Sequence, residues 1–204
     1  MRFQFLMVVS SLFFAFPVVA KGPKFSPIPA DQTGGKPTGL ELRIVRYDGS
    51  VNGVLEVEVK NPLQEPVQFS AKGLYFVPQG DADKAPQRLG AVGPFNLHTD
   101  QGWQRRESTT VAPGSVIRLK LDVYCIDSHR GSPSSSTDFR LAKDRVPKKV
   151  YEVIDRHAGK AAARLGGVSA PAAKSTVQSQ VWQVRDDDWV KLDGEGKQEA
   201  GKKK

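Results

Sequence analysis

From residue 40 onward, apolar side chains recur at every second position. Leu40, Leu42 and Ile44 alternate with Glu41 and Arg43, and Leu55, Val57 and Val59 alternate with Glu56 and Glu58. Val67 and Phe69 alternate with Gln68 and Ser70. A period of two marks a strand with one face buried. Residues 74–77 form a short run without a polar position, as in a strand buried on both faces, and residues 88–92 offer a further strand. Asp48-Gly49, Asn61-Pro62 and Ala112-Pro113-Gly114 are turn signals between these runs. The most regular alternation follows the last of them: Ile117, Leu119, Leu121 and Val123 against Arg118, Lys120, Asp122 and Tyr124, with Cys125 in phase with the apolar set. Residues 128–136 are a serine-rich loop, and the loop over residues 93–108, which holds Trp103 and Arg105-Arg106, carries no readable period. Five to seven short strands at this spacing predict a mainly β fold, an antiparallel immunoglobulin-like β-sandwich.

Near residue 145 the period lengthens. After Val146-Pro147, the residues Val150, Ile154 and Ala158 recur at helical spacing up to Leu165-Gly166-Gly167, a glycine stop. Ser169-Ala170-Pro171 places a cap and a first-turn proline ahead of a second helix over about residues 172–185. Val177, Val181 and Val184 lie on one side of it, Gln178 and Trp182 on another. The chain thus predicts a two-helix segment packed on the sandwich.

The ends read differently. Residues 1–20 have the form of a signal peptide: Arg2, an apolar run, then Pro17 and the small residues Val18-Val19-Ala20. The run is short for a membrane span, and no later segment approaches that length. Residues 21–38 are a Pro/Gly-rich leader, expected to be extended rather than packed. Residues 39–145 then form the sandwich with its serine-rich loop, residues 146–192 the helical subdomain, and residues 193–204 a disordered basic tail. The expected location is secreted, periplasmic or in the cell envelope. Net charge is +8, or +7 once residues 1–20 are removed with their single arginine. A surplus of this sign favours anionic envelope polymers or simple solubility. With no arginine-rich helix, finger or aromatic RNA-binding motif, nucleic acid is not expected as a partner.

Cys125 is the only cysteine. In an oxidising compartment cysteines are usually absent or paired, so this thiol is destined for burial, intermolecular pairing, metal ligation or covalent chemistry with another group. A thiol hydrolase would draw on His129 or His157 with Asp127 or Asp155, but none of the familiar local signatures surrounds this cysteine. Cys125, Asp127 and His129 begin a metal site that lacks a matching second pair, and Asp186-Asp187-Asp188 lacks the spaced oxygens and glycine of a calcium loop. We therefore expect no metal, no cofactor and no enzymatic activity. A helix would set Gln178 and Trp182 one turn apart on one face, so that the indole could cover the Gln178 amide. The plain alternative is an exported, non-catalytic β-sandwich, a binding or envelope structural protein, with Cys125 as a small core residue.

Tyr124-Cys125-Ile126, followed by Asp127, and Val177-Gln178-Ser179-Gln180-Val181-Trp182 together resemble the two motifs of bacterial surface thioester domains: an aromatic-Cys-apolar stretch and an apolar-Gln-x-x-apolar-Trp stretch. The likeness covers about a dozen residues, and the wall-sorting signal and repeat stalk of such adhesins are not recognisable here. It implies a β-sandwich bearing a helical subdomain, in which the Cys125 sulfur is acylated by the Gln178 side chain and Tyr124, Ile126 and Trp182 shield the bond. It further implies attachment to an amine-bearing protein or glycan surface.

Overall fold

The computed structural model describes residues 23–30, 36–50, 53–81, 84–164 and 171–187. The expected signal peptide, the basic tail, the glycine stop at residues 165–167 and the Ser169 cap lie outside them. Among the described residues there are ten strands and two helices, and every paired strand is antiparallel. The strands are β1 (Ser26–Pro27), β2 (Glu41–Tyr47), β3 (Val54–Lys60), β4 (Val67–Phe69), β5 (Leu74–Pro78), β6 (Leu89–Thr99), β7 (Gly102–Arg106), β8 (Thr109–Val111), β9 (Val116–Cys125) and β10 (Phe139–Leu141). Helix α1 spans Lys148–Arg164 and α2 Pro171–Asp187. The expected mainly β, sandwich-like fold with two helices at its C-terminal end is present. None of these helices is long and apolar enough to cross a membrane.

The large sheet runs β1-β2-β3-β9-β6-β5-β10, with β7 paired to β6, and β4 and β8 form a second, small sheet. The large sheet rolls up until β10 lies beside β2, where Phe139 meets Tyr47 edge-on with 5.5 Å between ring centroids. Its inner face supplies Leu42, Leu55, Val57, Leu89, Phe95, Leu119, Leu121, Val123 and Cys125 to one buried cluster. The small sheet closes over that cluster with Phe69 and Val111, and Phe69 packs on Phe95 at 5.4 Å.

The other face of the same strands is polar until the helices arrive. On β9 the outward residues Arg118, Lys120 and Asp122 give way to Tyr124 and Ile126, which join Tyr75, Val146, Val150, Ile154, Val177 and Val181 in a second buried cluster. Because successive side chains point to opposite faces, β9 reads as half-buried over residues 117–121 and as buried on both faces from Val123 to Cys125, with Ile126 just beyond its end buried as well. That change marks where the helices sit.

Three parts of the chain depart from the alternation reading. The stretch 93–108 is no loop but mostly a hairpin, with β6 running on to Thr99 and pairing with β7 from Phe95↔Arg106 to Thr99↔Gly102. Gly93-Pro94 explains the missing period, since the register of β6 against β9 shifts between Ala91 and Phe95 and a strand proline belongs at such a bulge. The leader is partly packed: Ser26 pairs with Leu42, and Ile28 is buried in the main cluster. Beyond the serine-rich loop, Phe139–Leu141 returns as β10.

Gly90 keeps the helix-facing side of β6 thin. A Cβ there would lie 3.2 Å from Ile126 Cγ2 and 3.6 Å from Ile154 Cδ1. Gly90→Val is expected to lift α1 from the sheet at a cost of about 1–3 kcal/mol for overpacking. Urea unfolding with limited proteolysis between the sandwich and α1 would check it; unchanged stability would show that the helix layer tolerates the displacement.

Candidate functional site

The site is the end of β9, where the strand outruns its neighbour. β3 pairs with β9 only as far as Val54↔Asp122, and one more bond, Val123 N to Gly53 O at 3.1 Å, closes that edge. On its other side β9 continues against β6, with Cys125 opposite Leu89 and Ile126 N bonded to Arg88 O at 3.0 Å. In an antiparallel ladder the N–H and C=O of one residue point to the same side. Those of Cys125 therefore face the side that β3 has left.

Gln178 fills the gap. Its Oε1 accepts from Cys125 N at 2.8 Å, and its Nε2 donates to Cys125 O. A primary carboxamide has the acceptor and donor of a peptide unit, so this side chain takes the place of the missing strand. Gln178 and the whole of Cys125 are buried, where an unpaired main-chain group costs about 1–3 kcal/mol.

The rest of α2 follows the same line. Lys174, Gln178 and Arg185 share one helix face with Val177 and Val181, at spacings of three and four. Lys174 Nζ sits 2.8 Å from Asp122 Oδ1 and 3.4 Å from Gly53 O. At the far end, Asp127 is fully buried. Arg88 grips it with Nη2 at 2.6 Å from Oδ1 and with Nε and main-chain N at 2.9 and 3.0 Å from Oδ2, while Arg185 Nη2 approaches Oδ1 at 3.5 Å. The helix is thus keyed to Asp122 and Cys125 on β9 and to Asp127 just beyond its end.

The structure brings Cys125, Gln178 and Trp182 together and sets Tyr124 and Ile126 apart. Trp182, one turn beyond Gln178, packs against the cluster that contains Cys125, and its indole N–H donates to Gln87 Oε1 at 3.2 Å. Tyr124 and Ile126 occupy the opposite face of β9, under the helices. Burial pushes the Cys125 thiol up to about 12, with the Asp127 charge adding in the same direction, so the free thiol is protonated at neutral pH. On the main chain of the same residue sits the Gln178 carboxamide, whose carbonyl oxygen already accepts the Cys125 N–H, a contact that stabilises negative charge developing on that oxygen. These are the components of an acyl transfer from nitrogen to sulfur.

Other uses of the cysteine find less support. Asp127 is committed to Arg88 and Arg185, and Asp155 pairs with Lys72 at 3.6 Å. Among the described residues no group of three or more His, Cys, Asp or Glu stands where it could hold a metal. Alternation and motif spacing single out Cys125, Gln178 and Trp182 but miss Arg88, Gln87, Lys174 and Arg185. Lys174 and Arg185 share the helical phase of Gln178, a signal that is readable only once Asp122 and Asp127 are seen to lie opposite them. No protein-family model, curated protein or solved structure matches this chain.

Asp127 gives the site a pH dependence. Burial alone raises its carboxyl, but the hydrogen bonds and charge of Arg88, with the charge of Arg185, outweigh it and hold the group below the usual carboxylate range. A depressed folded-state value means that its stabilising contribution is full above the unfolded value and disappears as pH falls through the folded one. Asp127→Asn is expected to lower stability at pH 7 and to flatten its fall as pH drops below the ordinary aspartate value of about 4. Urea midpoints across that range would test this, and an acid limb as steep as the parent's would count against the role.

Proposed function

We propose that Cys125 and Gln178 form an internal thioester and that the protein is an exported, non-enzymatic module that attaches covalently to amine-bearing protein or glycan surfaces. The observation that carries this reading is the docking of the Gln178 carboxamide on the main chain of Cys125, 53 residues away in sequence. The likeness of the two short motifs to bacterial surface thioester domains points the same way. In the reaction Cys125 Sγ attacks Gln178 Cδ, the C–N bond breaks, and Nε2 leaves as ammonia with the thiol proton. A partner amine later attacks the same carbon, forming an amide and returning the thiol.

Each neighbour has a part in this reading. The Cys125 N–H stabilises the carbonyl oxygen during both transfers. Trp182 covers the bond from the side of the Cys125 cluster and keeps water away, while Tyr124 and Ile126 work from the other face by seating the helices that carry Gln178. Signal-directed export, with a secreted, periplasmic or envelope location, supplies surfaces rich in amines. The basic surplus adds attraction to anionic envelope polymers.

A second reading has its own support. The raised thiol and the strand-capping role of Gln178 are sufficient reasons for both residues to be buried in an exported, non-catalytic β-sandwich with a core cysteine. The two readings differ in mass.

The freshly purified mature protein is expected to weigh one ammonia less than its sequence and to resist thiol alkylation while folded. Methylamine should restore mass as an adduct at Gln178 and release one reactive thiol. Cys125→Ala and Gln178→Ala should abolish both effects. Each should also lower stability, since a cross-link closing 53 residues is worth about 4 kcal/mol. Trp182→Ala should leave the bond able to form but speed its hydrolysis. A full-mass protein, purified quickly at neutral pH without amines, would decide for the core-cysteine reading.

A further inference from the structure

One lysine is buried on the same helix face as Gln178. Lys174 lies four residues earlier on the same helix face, the spacing at which two side-chain ends meet, and both residues reach the same edge of β9. Gly53 O, which accepts from Val123 N, also lies 3.4 Å from Lys174 Nζ, while Gln178 occupies Cys125 N. The two docking points are one pleat repeat apart, roughly 7 Å, a gap that a flexible four-carbon stem spans. Lys174 and Asp122 are each only 8% exposed. Asp122 is shared: its Oδ1 lies 2.8 Å from Lys174 Nζ and its Oδ2 2.8 Å from Arg105 Nη1.

We propose, building on the thioester reading, that Asp122 is a safety catch that holds Lys174 as a tethered ammonium and so preserves the thioester for an external amine. An ammonium has no lone pair, and the ion pair holds it at Gly53 and away from Gln178. Without the carboxylate, Lys174 would be buried beside Arg105. With the ion pair gone, Nζ is no longer held at Gly53, and its neutral form carries the lone pair that attack on Gln178 requires. The freed Nζ would attack Gln178 Cδ, the C–S bond would break, and the nitrogen proton would pass to Cys125 Sγ. An internal Lys174–Gln178 amide and a free thiol result, with no change in mass.

The test compares wild type, Asp122→Asn and Asp122→Asn/Lys174→Arg by intact mass, methylamine uptake, thiol titration after denaturation and tryptic mapping. Wild type is expected to be light by one ammonia and to take up one methylamine. Asp122→Asn should be equally light yet take up none, show one thiol, and lose tryptic cleavage after Lys174. The double variant should regain methylamine uptake. Should Asp122→Asn not fold, wild type and Lys174→Arg are incubated near pH 10 without added amine. Wild type should then convert to the light, amine-inert, thiol-bearing form, and Lys174→Arg should only hydrolyse, gaining one water. A light Asp122→Asn protein that still takes up methylamine, or identical alkaline behaviour of wild type and Lys174→Arg, would overturn the catch and leave the thioester standing. A full-mass wild type would overturn both.

Discussion

Buried N–H and C=O groups must be paired, and β9 is longer than the strand that accompanies it. Beyond Val123 its edge on the β3 side has no ladder, yet Cys125 and Ile126 lie wholly inside the protein. A carboxamide delivered from a helix meets that requirement. The contact between Gln178 and Cys125 therefore fixes where α2 sits, how far along β9 it slides, and which of its faces turns inward. Lys174 on Asp122 and Arg185 on Asp127 set the same register from above and below. Neither ion pair alone specifies the rotation of the helix, because flexible side chains reach a charge from several angles, whereas a planar amide bonded at both ends does not.

This arrangement also bears on what bond formation would change. In the proposed thioester the carbonyl oxygen stays and the nitrogen leaves. Cys125 N would keep its acceptor, and Cys125 O would lose its donor. Losing the donor to the carbonyl is milder than losing the acceptor of the N–H would be, since under-satisfied carbonyls are tolerated somewhat better in protein interiors than orphaned N–H groups. A covalent link between helix and strand would then replace one hydrogen bond, with the Asp127–Arg88–Arg185 cluster holding the last turn of α2 in place.

Much of the sandwich was legible because its strands obey a strict period of two. Leu55 to Val59 and Ile117 to Val123 state their inner face directly. The rest was hidden for physical reasons. Gly93-Pro94 inserts a bulge that breaks the period of β6 before its hairpin with β7. β1 and β10 are too short to show alternation, and burial of Ile28 depends on the rolled sheet around it. Within the site, a lone in-phase cysteine and the Gln-x-x-x-Trp spacing identified two residues that do meet. The polar residues around them were not legible, because Lys174 and Arg185 resemble solvent-facing positions until Asp122 and Asp127 are known to lie opposite. Burial of ion pairs is a property of both partners, and a one-dimensional pattern displays each partner separately.

The same seclusion governs the chemistry proposed for the pair. A thiol raised to about 12 offers almost no thiolate, which argues against a stepwise attack by a preformed anion. It does not argue against acyl transfer as such. In a dry site the costly species is an isolated charge, and a path in which sulfur gives its proton to the departing nitrogen as the C–S bond forms keeps the site neutral. The one group that develops charge on that path is the Gln178 carbonyl oxygen, already bonded to Cys125 N at 2.8 Å. Asp127 lies close enough to raise the thiol, and Arg88 and Arg185 offset its charge. A stronger neighbouring cation would favour a thiolate, but it would also draw in the water that destroys a thioester. In the proposed thioester, slow formation and slow hydrolysis would both follow from one cause, the burial of Cys125 beside the helix that carries its partner.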